Sequence, residues 1–114
     1  MRREVDLDVS ALSGWPDDVA GELDEVVKTI VRDARVAEFY VGRGVDLDQR
    51  ASEHQADDIA ALYETESPDH AMIVEEYLIG RFINHKKNSN TVVDARGGVS
   101  DEFVNYVYIA VWWN

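Results

Sequence analysis

Apolar positions along the 114-residue chain change period several times, and each change marks an element. Val5, Leu7 and Val9 alternate with Asp6 and Asp8, the period of two expected of an edge strand with one face in solvent. After the turn residues Ser13 and Gly14, Pro16 suits the first turn of a helix. Val19, Leu23, Val26, Val27, Ile30 and Ala34 then recur at helical spacing, which predicts a helix over roughly residues 16–34. Val36 to Gly42 is rich in strand formers and leaves the sheet through Gly42-Arg43-Gly44. Asp46, with Gln49 three residues later, starts a short helix that carries Arg50 and His54 and ends near Ala56. Ile59 to Thr65 fits either a continuation of that helix or a short strand.

Ser67 is a good N-cap, Pro68 is tolerated at the first helical position and Asp69 complements the dipole, so a helix is expected from there to about Lys86. Asn88-Ser89-Asn90 breaks it, and Gly97-Gly98 marks a turn. In the last segment Val104, Tyr106, Tyr108, Ala110 and Trp112 face one way, and Val107, Ile109, Val111 and Trp113 the other. A strand apolar on both faces belongs in the middle of a covered sheet. The fold class expected is α+β: helices packed on a small mixed or antiparallel sheet, in one domain over residues 1–114 with an N-terminal strand and helix extension.

Composition narrows the chemistry. A hydrophobic content of 46% at this length supports a single core. Without cysteine there are no disulfides or thiolate metal sites, so a bound metal would be a hard cation held by carboxylate, imidazole or amide groups. The N-terminal residues lack a signal-peptide stretch, and the longest apolar run, Tyr106 to Trp113, is far short of a membrane span. A cytoplasmic protein without a membrane partner is expected. The formal charge of −12 opposes nucleic-acid binding, which relies on lysine and arginine. Two origins fit it: a salty, halophilic cell in which an acidic surface maintains solubility, or an acidity that is itself functional, as in a DNA mimic.

The helical projection singles out one carboxylate. At about 100° per residue, Glu75 falls inside the stripe of Ala71, Leu78, Ile79 and Phe82, while Glu76 points outward. An inward carboxylate must be paired, protonated or metal-bound. The same projection sets Arg50 and His54 beside Leu47 and Ala51, with Asp48, Gln49 and Glu53 turned away. Taken alone, these residues fit a structural salt bridge in which Arg50 neutralises Glu75 and His54 fills a gap.

Taken together, Phe39-Tyr40-Val41-Gly42, Arg50, His54, Ala71, Glu75, Leu78-Ile79 and Asn90 resemble the GIY-YIG nuclease family over Tyr40 to Asn90, just under half of the chain. In that family a Tyr-Ile-Gly strand leads to a helix with an arginine and then a histidine or tyrosine, and a later helix carries Glu followed by Leu-Ile, ahead of an Asn. The family's Gly-Ile-Tyr strand is not found, because the ungapped position reads Val27-Lys28-Thr29 inside a predicted helix. Either the edge strand or the C-terminal strand fills that place in the sheet, with Tyr106 or Tyr108 as the phenol, or the site is incomplete. Core packing is the favoured account of Tyr106, Tyr108, Trp112 and Trp113.

The resemblance implies a metal-dependent endonuclease acting on DNA, alone or as a subunit that borrows target recognition. By that resemblance Glu75 holds one divalent cation, magnesium or manganese, completed by water and phosphate. Arg50 grips the scissile phosphate, Tyr40 and His54 position or deprotonate water, and Asn90 orients the metal site. Gly42 lets the chain turn close to the substrate. A basic rim of Arg81, His85, Lys86, Lys87 and Arg96, opposed by Asp94, is expected either to engage phosphates or to complement a helix C-terminus. The alternative function is a catalytically impaired relative, an acidic binding protein or DNA mimic. A third reading is a homo-oligomer formed through the aromatic C-terminal segment.

Overall fold

A computed structural model describes residues 10–89 and 104–114. The expected edge strand at Val5 to Val9, the Gly97-Gly98 turn, and the predicted site residue Asn90 lie outside the described residues. The element order is α1 (Pro16–Val31), β1 (Val36–Gly44), α2 (Leu47–His54), β2 (Asp58–Thr65), α3 (Pro68–Phe82) and β3 (Asn105–Trp113). The fold is α+β, and the described residues form three helices and a three-stranded antiparallel sheet.

Pro16 occupies the first turn of α1, with Asp17 and Asp18 at its positive end. Val19, Leu23, Val27, Ile30 and Val31 form the buried face. The helix stops short of Ala34 because Asp33 offers the chain a better turn. Its side chain accepts from the Arg35 backbone N–H at 2.9 Å, and its carbonyl accepts from Val36 N–H at 3.0 Å.

At the start of α2, Asp46 accepts from Gln49 N–H at 3.1 Å, as the capping pattern requires. Its end settles the ambiguity of the following segment. Gln55 turns left-handed with φ 56°, Gln55 N–H bonds Ser52 C=O, and Ala56 N–H bonds Ala51 C=O. This paired closure terminates the helix, so Asp58 to Thr65 is free to pair as β2. In α3, Ser67 accepts from His70 N–H at 3.2 Å. That helix ends at Phe82, before Lys86, because His85 N–H and the Asn88 side-chain amide both turn back to the Phe82 carbonyl.

The sheet order is β1-β3-β2. The C-terminal strand therefore lies between the other two, as its two apolar faces require. Register places Phe39, Val41 and Arg43 opposite Val111, Ile109 and Val107, on the face against α3, where Phe39 meets Phe82 edge-on at 6.3 Å. Gly42 lies opposite Tyr108 and Tyr40 opposite Ala110, on the other face. Leu23, Val27, Leu62, Leu78 and Ile109 are fully excluded from solvent in the core between the helices and the sheet. Among the described residues no helix is long and apolar enough to cross a membrane.

Because Ile109 is fully buried in the central strand, Ile109→Ala removes packing on a face that cannot collapse without moving β1 or β2. A loss of about 2–5 kcal/mol is expected in denaturant unfolding, and a loss below 1 kcal/mol would contradict this central placement.

Candidate functional site

Strand alternation divides the sequence-predicted residues between the two faces of the sheet. On the α2 face, the Tyr40 and His54 rings stand 4.5 Å apart between centroids. The His54 Nε2 lies 3.0 Å from the Tyr108 hydroxyl, and the two tyrosine rings are 6.5 Å apart. Tyr40, His54 and Tyr108 thus form one cluster contributed by β1, α2 and β3.

Two glycines make room for this cluster. A Cβ at Gly42 would fall 2.6 Å from the Tyr108 hydroxyl and 2.9 Å from the Tyr40 ring. At Gly44 it would fall 2.8 Å from Arg50 Nε. Gly42 thus makes room for two rings from within the strand, which differs from the expected role in turning the chain. Gly44 lets the Arg50 side chain lie close over the strand end. Arg50 also reaches Glu53, with Nη1 3.0 Å from Oε1.

Electrostatics set the protonation of this face. Burial holds the His54 pKa below its ordinary 6.5, with Arg50 lowering it further and Glu53 opposing. Burial likewise pushes the Tyr108 phenol well above the usual tyrosine range. Tyr40 adds to that rise, Arg50 opposes it, and the Glu75 and Glu53 carboxylates reinforce it. At neutral pH the imidazole is therefore uncharged and the Tyr108 phenol protonated. When Tyr108 donates the shared hydrogen bond, Nε2 accepts and the ring proton sits on Nδ1.

Glu75 is buried in the inward stripe of α3, as its helical position predicted. Its partner, however, is Arg43 and not Arg50: Arg43 Nη1 donates to Glu75 Oε1 on the α3 face, and each side chain is only 3% exposed. Arg43 was legible as the next inward position after Phe39 and Val41. Its significance was missed because the glycines on either side suggested an exit from the sheet. The sheet separates this pair from the Tyr40 cluster, although the charge of Glu75 is felt at Tyr108. Of the sequence-predicted residues, Tyr40 and His54 come together, Arg50 joins them electrostatically, and Glu75 does not share their face.

The carboxylate of Glu75 fits a cation site poorly in this arrangement. Its charge is already neutralised by a guanidinium, and a divalent ion placed there would be repelled by Arg43. Among the described residues no group of three or more His, Cys, Asp or Glu side chains gathers as a metal site.

The basic rim is divided too. Arg81 turns to Asp24 of α1, with Nε 2.9 Å from Oδ1. Lys87 donates through Nζ to the Val31 and Asp33 carbonyls at 2.7 and 3.1 Å, so it caps α1 and not the helix preceding it in sequence. Arg96 and Asp94 lie outside the described residues. Comparison with protein-family models, with curated proteins and with solved structures returns no match.

Two predictions follow from the geometry of the two faces. Arg43→Met leaves the Glu75 carboxylate buried without this guanidinium and is expected to cost about 3–5 kcal/mol, whereas the double variant Arg43→Met/Glu75→Leu recovers most of that loss. Equal destabilisation of single and double variants in urea melts would contradict a tightly coupled pair. For His54, a folded-state pKa below the unfolded value means that its contribution to stability is intact above 6.5 and is lost as pH falls through the lower folded value. His54→Gln should therefore flatten part of the acid-side decline in stability. An NMR titration midpoint for His54 above 6.5 would contradict the assignment.

Proposed function

We propose that this chain is a cytoplasmic endonuclease that hydrolyses phosphodiester bonds in DNA, with a protein partner or a second copy supplying target recognition. The observation that carries this reading is the Tyr40-His54-Tyr108 cluster beside Arg50 over a glycine-lined strand. Phosphodiester hydrolysis needs a proton acceptor for the attacking water and positive charge for the phosphoryl oxygens. Neutral His54 accepts the Tyr108 phenolic proton at Nε2 while the phenol oxygen takes one from the attacking water. Arg50 presents a planar set of donors suited to phosphate oxygens. Tyr40 and Tyr108 orient the water and fix the imidazole. Tyr108, from the central strand, fills the place of the phenol that the sequence lacks ahead of β1.

Magnesium or manganese at Glu75 remains part of this proposal through the resemblance alone, and such an ion would supply positive charge to the phosphate. Because Arg43 occupies the carboxylate, no step above depends on that ion. Asn90 keeps its proposed role in orienting the site on the same footing.

The Arg43–Glu75 pair also favours a second reading. A predicted metal carboxylate neutralised within the fold, in a chain of net charge −12, fits a non-catalytic acidic protein that binds a basic partner or imitates DNA.

A supercoiled-plasmid nicking assay separates the two, run at low and high salt with magnesium, manganese or chelator. Nicking by the wild type is expected, with losses of roughly 10²–10⁴-fold in His54→Ala and at least about 10²-fold in Arg50→Ala. Activity lost in chelator and in Glu75→Ala would support the cation assignment. Undiminished cleavage by both the His54 and Arg50 variants would rule out the assigned site. Absence of nicking in every arm, with tight binding to a basic protein, would favour the second reading.

A further inference from the structure

Arg32, His85, Lys86 and Lys87 surround an open cleft of about 480 Å³ between the end of α1 and the turn after α3, and Val36 and Ala37 of β1 lie in its wall. No side chain that lines it is a carboxylate, in a chain that carries 23 of them. The hydrogen bonds of the neighbourhood leave the cleft positive. Lys87 neutralises the carbonyl end of α1 by bonding Val31 and Asp33, which removes the negative helix terminus from the cleft. The nearby Asp33 carboxylate is engaged by Arg35 at 2.7 and 3.0 Å and held well below the usual carboxylate range, at about 2, chiefly by that side-chain hydrogen bond. Arg32 and Lys86 are exposed.

We propose that this cleft seats the phosphodiester backbone of a nucleic-acid strand, with Arg32 and Lys86 contacting phosphates and the exposed Ala37 meeting the sugar. The inference rests on the nucleic-acid reading of the Tyr40 cluster and extends it to a second contact point. The cleft is larger than one phosphate needs, and its mixed cationic and apolar lining suits a charged strand carrying sugars. The cleft lies on the α1 and α3 side of the sheet and the Tyr40 cluster on its α2 side, so a strand that touches both crosses the outer edge of β1. Glu38, exposed beside this path, is the opposing charge that the two cations must outweigh.

Binding is read by fluorescence anisotropy of labelled single-stranded and duplex oligonucleotides on the full chain. Chelator is present throughout, so affinity is measured without turnover. Arg32→Gln/Lys86→Gln is expected to weaken binding about tenfold at low salt and to reduce the slope of log affinity against log salt by about two. Thermal unfolding of the variant should match the wild type, and Lys28→Gln, which removes one cation that does not line the cleft, serves as a single-charge control with little effect. Unchanged affinity and slope in the double variant would overturn the proposal. So would a wild type that binds no oligonucleotide, or inorganic phosphate that competes as well as an oligonucleotide at equal phosphate concentration. Failure to cleave DNA while the salt slope responds as expected would count against the catalytic reading and leave the cleft intact.

Discussion

Double-sided pairing of β3 is the constraint on which the rest of the structure depends. A strand bonded along both edges and covered on both faces must place side chains into two different environments on alternate residues. Val107, Ile109 and Val111 meet the apolar layer under α3, while Tyr108 and Ala110 face α2. Because β3 pairs with β1 in fixed register, Tyr108 falls opposite Gly42, the position with space for its ring. A shift of one residue would send the phenol into the core and an aliphatic side chain toward His54. Thus the sheet register builds the aromatic cluster.

The two faces handle polarity in different ways. Against α3, a carboxylate and a guanidinium are buried together and balance each other. Against α2, no full charge pair is buried at the cluster; a neutral imidazole and a protonated phenol share a hydrogen bond with Arg50 nearby. The first arrangement fixes how α3 sits on β1. The second keeps groups of adjustable protonation at a partly open surface, which is where proton transfer to a substrate is feasible.

Much of this was legible from local patterns. The helical stripe of α3 identified Glu75 as inward, Asp46 and Ser67 marked their helix starts, and the two-faced apolar pattern of β3 placed it centrally. Helix ends were less legible, because they depend on specific turn bonds: Asp33 to Arg35 after α1, and the Phe82 carbonyl with His85 and Asn88 after α3. Partner choice was the least legible. A helix projection shows that Glu75 needs a counter-charge, yet only the register of β1 reveals that Arg43, and not Arg50, is placed to supply it. The choice of Tyr108 over Tyr106 likewise depends on which faces Gly42. Such pairings join residues distant in sequence, and composition carries no record of them.

The sheet order has a kinetic corollary. β1 and β2 are not neighbours, so neither can find its alignment from the other, and the described strands pair only across intervening helices or long segments. Both must wait for a segment that begins about sixty residues after Gly44 ends β1. During synthesis the edges of β1 and β2 that face β3 stay unpaired until Asn105–Trp113 emerges, while helices need only contacts local in sequence. Over that interval a net charge of −12 opposes association between such open edges on neighbouring chains.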